Sequence, residues 1–393
     1  MILPPGDLCT GCAACAQVCP SGALQMIVDA EGFLRPVIKN NCLECGKCGK
    51  VCPVLNADRS PRRQIRLFAA YAREDDIRNE SSSGGIFTLL ARQFVRKGGV
   101  VFGAAWDCRS RSVLHMAVKS ESDISILSGS KYVQSDTAGC FISVRELLDE
   151  GRAVMFSGTP CQLAGLRAFL GRDYENLFTV EIVCHGVSSP MVLKLYLDEI
   201  GASSPCSVRF RDKIRGWREF SFRVTTARGG FLCESMKENV FLKGFLSNLY
   251  LRRACSNCRS WSKLRGDVVL ADFWNIKSEN FDMDDNKGVS AVIVVTEKGR
   301  AAFEDLTDEI VSVRTRARNF FKTNRNVLLP SPKHPRRDRF FRALADNRAG
   351  VIELTRQNLK WTRTGELLWK IRRHFEKKSM ARMAGLLDEG RLA

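Results

Sequence analysis

Between Leu8 and Pro53 the chain carries the pattern CxxCxxCxxxCP twice: Cys9, Cys12, Cys15 and Cys19-Pro20, then Cys42, Cys45, Cys48 and Cys52-Pro53. A cubane [4Fe–4S] cluster takes four thiolates, and three at two-residue spacing reach one cluster only where the backbone curls into a tight loop. The proline turn carries the fourth away to the other cluster. Cys9, Cys12, Cys15 and Cys52 are therefore expected to hold one cluster, and Cys42, Cys45, Cys48 and Cys19 the second. Zinc also accepts CxxC pairs, but eight cysteines in two identical runs match iron–sulfur spacing far better. Disulfides need an oxidising compartment. Met1-Ile2-Leu3-Pro4-Pro5 has neither the basic start nor the apolar stretch of a secretory leader, so the cytoplasm is expected.

At 393 residues the chain has room for two or three domains, and 45% hydrophobic with 26% charged residues is ordinary for a globular protein. No apolar run approaches the ~18 residues a membrane-spanning helix requires. The net charge of +18 is uneven, because residues 311–393 hold 21 Lys and Arg against 7 Asp and Glu. Such a tail attracts nucleic acid, anionic lipid or an acidic protein or cofactor, and equally forms a solvated helical surface. No zinc finger or RNP motif accompanies it, so nucleic acid is not an expected partner.

Between the cysteine runs, Ala23–Val28 and Phe33–Ile38 flank the turn Asp29-Ala30-Glu31-Gly32 and read as a hairpin, giving a dicluster ferredoxin domain over residues 1–61. A polar, Pro-containing stretch around Arg62 then precedes the strand signal Leu67–Ala72. The second segment, residues 62–150, contains Asn79-Glu80-Ser81-Ser82-Ser83-Gly84-Gly85 before a helical run from Ile86. Small residues there expose helix N–H groups to a phosphate, or simply cap the helix. The loop Gly129–Asp136 follows, with one cation and one aromatic side chain.

The third segment, residues 151–313, alternates strand and helix. A buried strand at Ala153–Ser157 leads into Gly158-Thr159-Pro160-Cys161 and a helix, and a second at Phe178–Val183 ends in Cys184-His185-Gly186 before a helix capped by Ser189. Ligands of open α/β sheets gather at the carboxyl ends of strands, which makes Cys161 and Cys184 expected neighbours. Antiparallel signals from Ser207 to Cys233 suggest a cover or insertion. Cys255 and Cys258 form a CxxC, the stretch from Gly266 to Trp274 returns to a buried strand, and a strand at Val289–Val295 with a helix over Ala301–Ile310 closes the block. Cys161, Cys184, Cys255 and Cys258 have the number a third cluster needs; the CxxC alternatively suits a dithiol redox pair or half a zinc site. Cys108, Cys140, Cys206 and Cys233 lack motif context and are expected to be buried and inert.

Taken together, Ser82–Gly85, Lys131-Tyr132-Val133-Gln134-Ser135, Ser157–Gln162, Cys184-His185-Gly186, Phe210–Lys213 and Cys255/Cys258 through Asp272-Phe273-Trp274 resemble the family of coenzyme F420 hydrogenase/dehydrogenase beta subunits. The resemblance spans about Leu8 to Val313. It implies FAD, one or more [4Fe–4S] clusters and flavin-mediated electron transfer, but no single substrate. It makes Ser82, Ser83, Gly84, Gly85, Lys131, Tyr132, Gln134, Ser135, Gly158 and Thr159 expected flavin contacts, with Lys131 steadying negative charge; His185 either protonates a substrate or caps a strand end, and Arg211 and Asp272 either serve the site or form a structural ion pair. No GxGxxG opens a βαβ unit, so a nicotinamide site is unsupported.

The expected fold is thus α+β and α/β: a bacterial-type dicluster ferredoxin domain, then an α/β flavin-binding domain with an antiparallel insertion, then a basic, mostly helical tail over residues 314–393. Expected partners are a ferredoxin or reduced deazaflavin, together with a partner subunit. The rival reading is a non-enzymatic electron-transfer subunit that docks a separate catalytic partner.

Overall fold

A mixed nine-stranded sheet forms the body of the computed structural model, which describes residues 3–56 and 65–360 apart from 138, 228, 259–263, 279–280, 322–323 and 328. The amino-terminal hairpin is β1 (Leu24–Val28) paired antiparallel with β2 (Leu34–Ile38). The body contributes β3 (Arg66–Ala72), β4 (Val100–Asp107), β5 (Ser112–Val118), β6 (Ser135–Asp136), β7 (Val154–Gly158) and β8 (Leu177–Ile182). A separate three-stranded antiparallel sheet holds β9 (Pro205–Asp212), β10 (Ser221–Thr226) and β11 (Phe231–Ser235), as the sequence suggests. The chain then returns with β12 (Val268–Asp272), β13 (Ser290–Val294) and β14 (Ile310–Arg314), so the large sheet runs β14-β3-β13-β12-β8-β7-β4-β5-β6.

The sequence dictates which strands are central. Every residue of β7 (Val-Met-Phe-Ser-Gly) and β13 (Ser-Ala-Val-Ile-Val) is buried, as continuous apolar runs covered on both faces should be. At the edge, β14 buries only Ile310 fully, and its neighbours face solvent. Parallel pairing of β4 with β7, β7 with β8 and β8 with β12 sets the turns after β7 and β8 side by side.

The helix Pro160–Leu170 shows how those turns are fixed. Thr159 and Gln162 form a capping box, Pro160 occupies the first turn, and Gly171 at φ +69° ends the helix. The next helix, Pro190–Glu199, begins at Ser189, whose hydroxyl accepts from Val192 N–H.

Three expectations change. The helix expected over Ala301–Ile310 instead spans Glu297–Glu304, capped by the Thr296 hydroxyl accepting from Gly299 N–H. The β-branched run from Ile310 becomes a strand on β3, in keeping with the preference of such side chains for a pleated surface. The basic tail is not a free surface helix as far as Lys360: Phe340, Phe341, Leu344, Val351 and Leu354 lie in the same core as Phe33, Tyr196 and Phe241. Its remainder, 361–393, and the proposed boundary near Arg62 lie outside the described residues. Among the unassigned cysteines Cys140 is buried and Cys233 partly so, but Cys108 and Cys206 are exposed. They sit beside the ends of β4 and β9, where Cys108 Sγ donates to Cys206 O at 2.8 Å.

Candidate electron-transfer site

Each cysteine run curls as its spacing demands. Gly11 (φ +71°) and Ala13 (φ +60°) bracket Cys12, and Glu44 (φ +51°) and Gly46 (φ +69°) bracket Cys45 at the equivalent positions of the second run. Left-handed residues on both sides of the middle cysteine wrap three thiols around one point, and a short helix follows each time, Ala14–Gln17 and Lys47–Lys50.

The crossed partners also meet. Cys15 senses the charges of Cys12, Cys9 and Cys52, which gathers the first quartet. Cys19 lines one cavity with Cys42, Cys45 and Cys48, enclosing about 340 Å³ of atom-free space partly open to solvent. All four thiols of the first quartet are buried, and burial pushes Cys12 up to about 12 and also raises Cys15 and Cys52. In the second quartet Cys45 is exposed. Although burial acts against it, Cys19 is lowered by N–H groups of Leu24, Ser21 and Ala23 and the Ser21 hydroxyl.

A third quartet forms where β7 and β8 end. Cys184 senses Cys255, Cys161 and Cys258, and Cys255 senses Cys258 and Cys161. Burial raises all three of Cys161, Cys184 and Cys255, the last to about 12, so loading thiolate-bound metal here would release protons. Gly186 (φ +133°) allows the close approach, since a Cβ there would lie 3.3 Å from Cys255 Cβ and 2.8 Å from Leu251. Among the described residues no three or more His, Cys, Asp or Glu side chains are set around a single ion. Thiols that each bind a different corner of a cubane stand farther apart than four ligands of one zinc at ~2.3 Å.

The first quartet packs against the helix that carries Cys161 of the third. Cys12 senses Cys161, and a Cβ on Gly165, in the helix that begins beside Cys161, would come within 2.9 Å of Cys12 Sγ. Thr137 Oγ1 donates to Cys12 O, and Gln17 bonds both Thr137 O and Phe141 N–H. The hairpin tip is held as well: Ser189 Oγ donates to Glu31 O at 2.5 Å, and Glu31 receives Arg337 at 2.6 Å and Arg253 at 3.0 Å.

The expected flavin residues have unlike surroundings. Ser82 Oγ accepts from Ser130 N–H at 2.6 Å, so the Ser-rich loop and the Lys131 loop adjoin. Gly84 and Gly85, however, serve packing: a Cβ on Gly84 would lie 2.4 Å from Ala70 O, and one on Gly85 3.0 Å from Ile77. Ser83 Oγ donates to Val289 O. Lys131 Nζ donates to the carbonyls of Ile126, Leu127 and Ser128, with burial drawing the ammonium down to about 7. Gln134 joins the domains, its Oε1 accepting from Leu34 N–H. Ser135 lies in a buried chain from Gln162 Nε2 through its own hydroxyl to His115 Nδ1, while His115 Nε2–H donates to Ser157 O. Gly158 and Thr159 shape the turn before Cys161, and the Thr159 hydroxyl lies 3.2 Å from Cys161 Sγ. His185 pairs with Asn326 and its ring centroid is 5.1 Å from that of Phe245.

The stretches Phe210–Lys213 and Asp272–Trp274, both singled out in the sequence, meet in a polar cluster beside Tyr132, and Trp217 is the member that no motif pointed to. Arg211 bonds Asp272 at 2.5 Å, and its guanidinium lies over Phe220 and Trp274. Trp217 Nε1–H donates to the other Asp272 oxygen, and Trp217 stacks on Trp274 at 4.6 Å. Arg211 Nε and Nη2 are buried with no acceptor among the described residues.

Residues 151–316 match the family described as the C terminus of the coenzyme F420 hydrogenase/dehydrogenase beta subunit, and residues 8–56 match the 4Fe-4S dicluster domain. The chain joins a dicluster domain to a beta-type domain of that hydrogenase/dehydrogenase family. It is 21% identical over 329 residues to the F subunit of the F(420)H(2) dehydrogenase of Methanosarcina mazei, covering 77% of this chain and 84% of that one. It is 28% identical over 309 residues to the coenzyme F420-dependent sulfite reductase of Methanocaldococcus jannaschii, covering 74% of this chain and 45% of that protein. A chain of the F420-reducing [NiFe] hydrogenase complex from Methanosarcina barkeri aligns over 76% of this chain and 92% of its own, at 16% identity and a TM-score of 0.44. The protein is thus an iron–sulfur electron-transfer protein related to F420-linked oxidoreductases. Among the described residues no helix is long and apolar enough to cross a membrane.

Proposed function

We propose that this chain is a flavin-dependent iron–sulfur oxidoreductase that passes electrons between [4Fe–4S] clusters and an organic acceptor or deazaflavin through FAD. The observation that carries it is the proximity of two cysteine quartets, Cys12 lying against Gly165 of the helix that carries Cys161 and feeling the charge of that thiol. In this reading Cys9, Cys12, Cys15 and Cys52 hold the inner cluster, Cys42, Cys45, Cys48 and Cys19 the outer, and Cys161, Cys184, Cys255 and Cys258 a third. Clusters held by these cysteines would supply single-electron exchange, which needs no proton donor among the residues around the quartets.

FAD would supply the exchange between single electrons and a hydride. The residues suited to it are the loops of Ser82 and Lys131 with Tyr132, and Arg211, whose unclaimed buried N–H groups call for an acceptor. His185, near the third quartet and turned toward Asn326, is assigned to proton delivery at the acceptor. Lys131 would act by charge at a distance, since its donors are engaged by carbonyls, and an anion bound nearby would hold the ammonium protonated against the burial that lowers it to about 7.

The test is iron and flavin content of anaerobically purified protein, with absorbance before and after dithionite. About 12 iron atoms and one FAD per chain support the reading. About 8 iron atoms without flavin overturn it in favour of an electron-transfer subunit that docks a catalytic partner. That second reading draws support from the Methanosarcina mazei relative, which is named as a subunit of a dehydrogenase.

A further inference from the structure

Arg252 is 1% exposed and forms no ion pair with a carboxylate among the described residues; Asp29, which acts on it from farther off, is bound by Arg35. Its guanidinium is held by neutral acceptors: Cys9 O at 2.7 Å from Nε, Leu34 O at 2.8 Å from Nη2 and Gln134 Oε1 at 3.3 Å from Nη1. Nη2 also lies 3.7 Å from Cys9 Sγ, and the Phe33 ring packs 5.4 Å from the guanidinium carbon. The arrangement is built, not incidental. A Cβ on Gly11 would meet Gln134 Nε2 at 2.4 Å and Arg252 Nη1 at 2.9 Å, so only glycine lets the cation rest against the cysteine loop.

A cation sealed among neutral groups is costly unless an anion shares the site. A cubane bound by four thiolates is such an anion, and reduction adds one more negative charge. Arg252 faces Cys9 on one side and lies three residues before Cys255 on the other; Cys255 and Cys161 both sense its charge. The outer quartet makes no hydrogen bond to it among those described.

We infer that Arg252 is the fixed counter-charge between the inner and third clusters, favouring their reduced states and holding the inner midpoint potential above that of the outer cluster. This rests on the cluster assignment above and goes beyond it by giving the wire a direction. In the step concerned, the outer cluster loses one electron and the inner cluster gains it. Arg252 keeps its proton throughout, as arginine does in proteins.

The experiment is an EPR-monitored redox titration of the full-length protein, with the outer cluster identified by its loss in Cys45→Ala. In Arg252→Met the inner midpoint falls and the outer does not, the reduced-to-oxidised ratio of the inner cluster at fixed potential dropping about tenfold, which is ~59 mV for one electron. An unmoved inner midpoint with iron retained overturns the inference. Should Arg252→Met lose the inner iron, Arg252→Lys decides: a preserved gap between inner and outer midpoints supports the inference, and a collapsed gap overturns it. Loss of inner iron from both variants assigns Arg252 a purely structural role and also overturns it. The third cluster is judged separately from wild-type iron, where about 8 atoms instead of about 12 removes it and leaves the inner–outer comparison standing.

Discussion

The two cysteine runs share one pattern and one backbone curl, yet they occupy opposite environments. The first quartet is buried among Phe141, Gly165, Thr137 and Arg252, whereas the second opens to solvent beside Leu43, which is 67% exposed, and Lys47. Sequence repetition fixes what each run can bind. Surroundings decide what each could reach: a cluster at the second quartet would lie open to another molecule, whereas one at the first would face the body of the chain.

The comparison breaks most sharply on losing a ligand. Cys12→Ala is expected to remove about 4 iron atoms and to lower the melting temperature of the whole chain, since Cys12 packs in the core of Phe141 and Leu163. Cys45→Ala should remove about 4 iron atoms and leave the body's melting unchanged. Iron analysis and thermal melting of both variants check this, and equal destabilisation would erase the distinction.

The buried clasp ranks next. Arg337 is 2% exposed at its side chain and Glu31 15%, and despite burial Arg337 and Arg253 hold the Glu31 carboxyl below its usual range. Arg337→Met leaves that carboxylate short of a partner and should cost about 3 kcal/mol or more in denaturant unfolding. Gly165→Val sharpens the contrast at smaller cost: overpacking against Cys12 is expected to destabilise by about 1–3 kcal/mol and to make only the inner iron labile to chelator.

The smallest expected effect is a pH dependence. His115 donates to Ser157 O and accepts from the Ser135 hydroxyl, an arrangement that needs a neutral ring, and burial pulls it from 6.5 down to about 4. A folded value below the unfolded one gives stability that is full above about pH 6.5 and is lost as pH falls toward about 4. Melting should therefore drop between about pH 7 and about pH 5, and less so in His115→Gln, before any difference between inner and outer iron appears.

What could be read from the sequence follows range along the chain. Cysteine spacing predicted the curled loops and which thiols would be neighbours, and the strand–turn–helix pattern after Val154 predicted Cys161 near Cys184, which the parallel pairing of β7 with β8 brings about. Arg252 stands in plain view before a CxxC, but its burial depends on Cys9 and Leu34, more than 200 residues earlier. Gly84 and Gly85 look like a phosphate cradle until the sheet edge that crowds them is known. Arg337, in a charge-rich stretch, resembles a solvated tail residue and is instead nearly sealed by the return of its helix to the hairpin.

That return has a consequence for how the protein is assembled. Glu31 leaves the ribosome 306 residues before Arg337, a delay of roughly 15 to 60 s at ordinary rates of synthesis. Until then the hairpin lacks its last fastening, and both cysteine runs stand open to whatever delivers iron and sulfide. Arg337 over Glu31 fastens the hairpin next to the buried quartet, so filling that quartet before the clasp forms would be the easier order.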